Sequence, residues 1–233
     1  MRIPLYIEFT GKKVLIIGGG GVGTVRARKF HEAGAEIRVL SLEFSEELVE
    51  LSKGGKVELI KGDAFNKNLL ESLISWCDLV TVAVGDLRLN DSVIELARKY
   101  KALVNLANDA ERTEVVVPFE GEVNGIRFAV TTEGKSGVVA RRVRDLFMET
   151  LKEDSESLYL LEAMHYLKKY MKSKDIPVQL RMKLYFVISA DGEFRKLVNE
   201  GRVNEARELA ERLVEEYVSG KREIDESLVK IQF

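Results

Sequence analysis

Six consecutive residues, Gly18-Gly19-Gly20-Gly21-Val22-Gly23, carry the clearest chemistry in the chain. They follow the apolar run Val14-Leu15-Ile16-Ile17 and open an amphipathic stretch. Gly18, Gly20 and Gly23 have the Gly-x-Gly-x-x-Gly spacing. Between a strand and a helix, each of these glycines has a physical task. The first permits the tight turn. The second lets the backbone approach a diphosphate without a Cβ in the way. The third lets the helix pack closely on the strand. The helix start, with Gly21 and Val22, then offers free N–H groups and a partial positive charge to the phosphates. The bare spacing is a weak signal that the strand–turn–helix setting strengthens; a glycine-rich turn without a ligand is the alternative. A Walker-type loop is excluded, because no Gly-Lys-Ser/Thr follows at the needed distance. The expectation is a Rossmann-type domain that binds a dinucleotide.

The choice of dinucleotide turns on the end of the next strand. An acidic residue about 20 positions beyond the turn receives the ribose 2′-hydroxyl in such domains. Here the strand ends in Leu40-Ser41-Leu42-Glu43. Glu43 is the candidate acid, with Ser41 and the backbone at Leu42 able to share the task; a solvated loop acid is the competing reading of Glu43. Arg38 lies inside the strand, so no cation just past its end meets a 2′-phosphate. NAD is therefore expected over NADP.

The elements that position these residues follow from hydrophobic periodicity. Strands are predicted at Val14–Ile17, Ile37–Leu40, Val57–Ile60, Leu79–Val84 and Leu103–Leu106. Helices are predicted at Val22–Ala33 with Gly34 as its C-terminal glycine, from Glu46 to Leu51, Leu69–Ser75 and Leu89–Tyr100. Strands without polar alternation, separated by helices, imply a parallel sheet covered on both faces. The rhythm then changes. Val115–Pro118 and Ile126–Val130 flank Asn124-Gly125, a hairpin signal. A polar turn, Gly134–Gly137, precedes a helix from Val138 to Lys152. From Ser155 onward the spacing is helical. The predicted architecture is a doubly wound parallel sheet over residues 1–112, a hairpin-plus-helix segment over 113–152 and a helical domain over 153–233.

Bulk properties narrow the function classes. The chain of 233 residues has a formal net charge of −2, which gives no electrostatic case for nucleic acid or a membrane surface as the partner. One cysteine, Cys77, forbids an internal disulfide and a Cys-cluster metal site. No apolar run approaches the length of a membrane span, and the start lacks a signal-peptide pattern. A cytoplasmic protein is expected.

With these motifs in view, the chain resembles precorrin-2 dehydrogenase, the enzyme family of sirohaem synthesis, some of whose members also insert iron into sirohydrochlorin. The resemblance runs end to end. Pro4-Leu5-Tyr6 through Gly11-Lys12-Lys13-Val14, leading into Gly18-Gly19-Gly20, is similar to the family's N-terminus. Ala83–Asn90 is similar to its fourth-strand loop, which implies cofactor contacts from Val84 and Gly85. Asn105 to Pro118 is similar to the segment with its catalytic aspartate. Thr131-Thr132-Glu133-Gly134-Lys135-Ser136 and Ala140-Arg141-Arg142 are similar to its second signature. The resemblance implies a homodimer with NAD beside a tetrapyrrole, precorrin-2 or sirohydrochlorin, and Fe²⁺ as a possible chelation substrate. It implies substrate contacts from Asn105, Thr132, Lys135 and Ser136. Arg141 could meet a tetrapyrrole carboxylate through its forked guanidinium or lie on a solvated face; both readings stand.

One departure touches the chemistry. The family's Asn-x-x-Asp here reads Asn105-Leu106-Ala107-Asn108, followed by Asp109. An amide takes no proton at neutral pH. Either Asp109 supplies the carboxylate, or the chemistry is weakened and the chain is a dinucleotide- or tetrapyrrole-binding protein. Ser136-Gly137 stands where the family has Ser-Pro, which could loosen that turn. His31 and His165 read as structural or surface residues rather than ligands, and no pair of His or Cys has metal-ligand spacing. Cys77 beside Trp76 reads as core.

Overall fold

The computed structural model describes residues 2–229. They divide into two compact units, each with its own core. One takes in the chain through Phe119 together with Thr131–Ala140; the other comprises Glu120–Val130 and the chain from Arg141 onward.

The first unit alternates strand and helix: β1 (Lys13–Ile17), α1 (Gly21–Glu32), β2 (Glu36–Ser41), α2 (Glu46–Ser52), β3 (Val57–Lys61), α3 (Lys67–Trp76), β4 (Leu79–Val82), α4 (Arg88–Tyr100) and β5 (Leu103–Leu106). The strands form one parallel sheet in the order β3-β2-β1-β4-β5. This is a doubly wound, Rossmann-like sheet whose order reverses between β1 and β4, the place where such sheets bind ligands. Continuous apolar runs make these strands because both faces are covered. Leu15 and Ile17 join a core with α3 and α4, while Val14 and Ile16 join Ala27, Phe30 and Leu48 of α1 and α2. Each fully buried Leu or Ile contributes on the order of 1.5–3 kcal/mol.

Two boundaries differ from expectation. β4 ends at Val82, not Val84. Beyond it, the Ala83 N–H donates to the Ile17 carbonyl at 2.8 Å and the Val84 carbonyl accepts from the Asn108 side chain. Val115–Pro118 is not a strand either. Val115 and Val117 pack on the α1/α2 core, while Glu114 and Val115 donate to the Val104 carbonyl at 3.1 and 2.8 Å. Glu114 Oε2 accepts from the Val104 N–H and Thr113 Oγ1 from the Leu106 N–H. The segment therefore caps the exposed edge of β5 with two backbone N–H groups and two side chains instead of a regular strand ladder.

The hairpin is formed one step later, by β6 (Phe119–Val123) and β7 (Ile126–Val130). Its turn residues Asn124 and Gly125 both have positive φ, 47° and 87°, as a type I′ turn requires. Then come α5 (Gly137–Glu153), α6 (Ser155–Ser173), α7 (Val178–Ser189), α8 (Gly192–Asn199) and α9 (Val203–Val218). Phe194, Leu167, Leu184 and Leu213 centre the helical core. Asp154 and Asp191 cap α6 and α8 by accepting from Ser157 and Phe194 N–H groups.

Candidate functional site

The glycine turn separates into two kinds of glycine. Gly18 has φ +116°, donates its N–H to the Leu40 carbonyl at 2.9 Å, and a Cβ there would lie 2.7 Å from the Ala83 oxygen. A Cβ on Gly19 would lie 2.2 Å from the Glu43 carbonyl oxygen, and one on Gly23 only 1.8 Å from the Gly18 oxygen. The protein's own packing demands these three. Gly20 and Gly21 are different: a Cβ on either would meet no atom within 4 Å. Gly20 has φ −82° and ψ −168°, which any residue adopts. Neither sterics nor backbone conformation explains glycine there, although Gly21 weakens the first turn of α1 by about 1 kcal/mol relative to alanine. Unhindered approach of a diphosphate to the backbone does explain it. No side chain caps α1, and its first turn carries no acid. The chain therefore fits a dinucleotide at this turn.

At the end of β2, Ser41 Oγ accepts from the Gly19 N–H at 2.9 Å. Ser41 thus shapes the turn. Leu42 and Glu43 are exposed beside it, which leaves Glu43 as the acid available to a ribose. Arg38 is committed elsewhere: Nε meets Glu58 Oε2 at 2.7 Å, and the guanidinium lies 4.1 Å from the Trp76 ring centre. After β4, Gly85 is exposed and Asp86 pairs with Arg88, whose side chain and N–H hold the Asp86 carboxyl down at about 2.

Asn108 lies at the end of β5, facing that loop. Its Nδ2 donates to the Val84 carbonyl at 2.8 Å and to Asn90 Oδ1 at 3.3 Å. Asn90 Nδ2 returns a bond to Asn108 Oδ1 at 3.2 Å. The Val84 carbonyl fixes which end of the Asn108 amide is nitrogen. Asp109 engages Arg112: Oδ1 accepts from the Arg112 N–H at 3.1 Å, and Oδ2 stands 3.8 Å from Arg112 Nε. Asn105 is buried and donates to the Val115 carbonyl at 2.7 Å. Its Oδ1 has no partner, nor does Oγ1 of Thr81, its neighbour across the sheet.

The Thr132–Ser136 turn closes on itself. Thr132 Oγ1 donates to the Ser136 carbonyl and accepts its N–H, at 3.0 and 2.9 Å. Ser136 Oγ accepts from Val139 N–H at 3.3 Å at the start of α5. Thr132 thus clamps the turn despite Gly137. Lys135 is exposed. The structure brings this turn to the Asn108–Asp109 loop: a Cβ on Gly134 would lie 2.1 Å from Ala110 Cβ. Arg2 fastens both, donating to the carbonyls of Ala110 and Thr113 at 2.9 and 2.7 Å and to Glu133 Oε2 at 3.3 Å. Arg141 belongs to the other unit, where its largely exposed guanidinium stands 4.0 Å from Asp145.

Four polar residues of this region escaped sequence reasoning: Asn90, Arg2, Thr81 and Arg26. Asn90 and Thr81 sit where apolar periodicity predicts core, and a polar residue at such a position is the available signal. The partners of Arg2 lie far away in sequence, and nothing in the spacing around Arg26 marks it out from an ordinary helix-surface cation. Of the remaining candidates, His31 is half-buried and His165 exposed. Burial pushes the Cys77 thiol up to about 12.

Comparison with known proteins bears on most of the chain. Residues 5–119 match the family described as "Putative NAD(P)-binding". The chain is 29% identical over 198 residues to a protein of Methanocaldococcus jannaschii named "Putative precorrin-2 dehydrogenase", covering 83% of this chain and 93% of that one. It is 26% identical to a siroheme synthase of Photorhabdus laumondii, covering 92% of this chain but only 44% of the longer protein. Its fold matches the solved structure of SirC, precorrin-2 dehydrogenase, with a TM-score of 0.66 over 91% of this chain, at 20% identity.

Proposed function

We propose that this chain, a homologue of precorrin-2 dehydrogenase and siroheme synthase, oxidises precorrin-2 to sirohydrochlorin with NAD⁺. The observation that carries the reading is the pair Gly20–Gly21, glycines that the protein's own packing does not require, in a chain similar along most of its length to a protein of that name.

NAD⁺, when bound, supplies the hydride acceptor. The N–H groups of Gly20, Gly21, Val22 and Gly23 hold its diphosphate, and the carboxylate of Glu43 accepts from the ribose. Val84 and Gly85 would also contact the dinucleotide. Asn108, braced by the buried Asn90, holds the Val84 carbonyl and shapes the site without being able to take a proton. Dehydrogenation removes a hydride from one ring carbon and a proton from its neighbour. Asp109 is the carboxylate in the loop, and Oδ2, only loosely engaged by Arg112, accepts that proton. Asn105, Thr132, Lys135 and Ser136 bind the macrocycle and its carboxylates. Loss of turnover in Asp109→Asn with NAD⁺ affinity unchanged fits this assignment; unchanged turnover contradicts it.

The reading includes a homodimer in the cytoplasm. Val138, Val139, Leu146 and Phe147 on α5 are each about half or more exposed, an apolar array that a second copy would cover. Among the described residues no helix is long and apolar enough to cross a membrane. Mixing purified protein with precorrin-2 and NAD⁺ tests the activity: NADH absorbance should rise in proportion to protein, and a rate equal to that of buffer contradicts the reading.

A further inference from the structure

Arg26 lies in the second turn of α1. Its neighbours on the helix define two sides. On one side, Thr24 Oγ1 meets Ser45 Oγ at 2.8 Å and Arg28 meets Glu47 at 2.8 Å, both toward α2. Gly23, Ala27 and Phe30 are buried against the sheet. At 100° per residue, Arg26 falls beyond that sheet-facing strip, on the side away from α2, in one row with Val22. Lys29 shares that side and donates to the Pro118 carbonyl at 3.2 Å.

The guanidinium is anomalous. Arg26 Nε is buried without a hydrogen-bond partner, and Arg26 pairs with no carboxylate among the described residues. Burial lowers its pKa from the ordinary value, yet an arginine keeps its charge. Arg26 as a whole is half-buried; a partly desolvated cation without a counter-charge costs some stability and calls for a reason. Side chains on a helix lean toward its N-terminus, so an extended Arg26 would reach along the Val22 row toward Gly20 and Gly21.

We propose that Arg26 is an anion-binding residue whose guanidinium receives a ligand oxyanion beside the glycine turn. The oxyanion is a phosphate of the dinucleotide or a carboxylate of the tetrapyrrole. The identity of the second source rests on the dehydrogenase reading; the anion site itself does not.

The test compares wild type with Arg26→Met and Arg26→Lys. Calorimetry measures NAD⁺ binding. Visible absorbance measures binding of uroporphyrin, a stable macrocycle with eight carboxylates, against its octamethyl ester. Scanning calorimetry measures the Tm of each protein with and without inorganic pyrophosphate. Arg26→Met should keep or raise the Tm of the ligand-free protein, because a partly desolvated, unpaired charge is gone. It should weaken either NAD⁺ or uroporphyrin at least tenfold, and Arg26→Lys should restore part of the loss. Loss on NAD⁺ alone assigns the phosphate, and loss on uroporphyrin but not on its ester assigns the carboxylate. Affinities within twofold of wild type for both ligands overturn the proposal, as does a lower ligand-free Tm with unchanged affinities. If wild type binds neither ligand, the dehydrogenase reading falls and pyrophosphate decides alone. It should then raise the Tm of wild type but not of Arg26→Met; an equal rise in both, or none in either, overturns the anion site.

Discussion

The Asn108 side-chain amide donates to the Val84 carbonyl oxygen at 2.8 Å, joining the loop after β5 to the loop after β4. An aspartate at 108 would set an oxygen against that carbonyl unless it stayed protonated. Asn108→Asp should therefore lose about 1–3 kcal/mol at pH 7. The introduced carboxyl would have a raised pKa in the folded protein. Its stabilising form is present below the unfolded value and lost as pH rises through the folded one, so the deficit should shrink at pH 4–5. Urea unfolding at both pH values checks this. A variant as stable as wild type at pH 7 contradicts the role given to Asn108.

The two classes of glycine predict opposite outcomes. Gly23→Ala puts a methyl against the Gly18 oxygen and should cost roughly 1–3 kcal/mol or prevent folding. Gly20→Ala should leave Tm near that of wild type, because the added methyl meets no protein atom. Equal losses in the two variants would contradict the division.

The position of the glycine turn, the five parallel strands and the helical tail were legible from periodicity and spacing, because burial on both faces leaves continuous apolar runs. The end of β4 and the first hairpin strand were not. Val115 and Val117 are apolar because they cover α1 and α2, and periodicity reports burial without naming the partner. Site chemistry was legible only in part. Ser41 was legible as a candidate ribose contact, while its bond from the Gly19 N–H was not. Asn108 was visible as an amide, while its partner Asn90, 18 residues away, was not.

Arg2 should act as a fastener for the loop after β5. Arg2→Ala removes its donors to Ala110, Thr113 and Glu133, worth about 1 kcal/mol after allowance for partial exposure. Hydrogen exchange at Arg112 and Thr113, whose N–H groups bond to Asp109, should quicken. Unchanged exchange there would remove Arg2 from the account.

The Cys77 thiol, pushed up to about 12 by burial, should resist alkylation at pH 8 until the protein unfolds. Its folded pKa exceeds the unfolded value of about 8.5. Its contribution is therefore complete below pH ~8.5 and lost as pH rises toward 12. Cys77→Ala should flatten the fall in stability across that window. An identical pH dependence in the two proteins would contradict the burial argument.

The central claim is that the backbone at Gly20 and Gly21 grips the diphosphate of NAD⁺. Titration calorimetry of wild type and Gly20→Val tests it most directly. Wild type should bind one NAD⁺ per chain, and the folded variant should bind at least tenfold more weakly, a difference of ~1.4 kcal/mol or more. No heat with wild type, or the same affinity in both proteins, would contradict it.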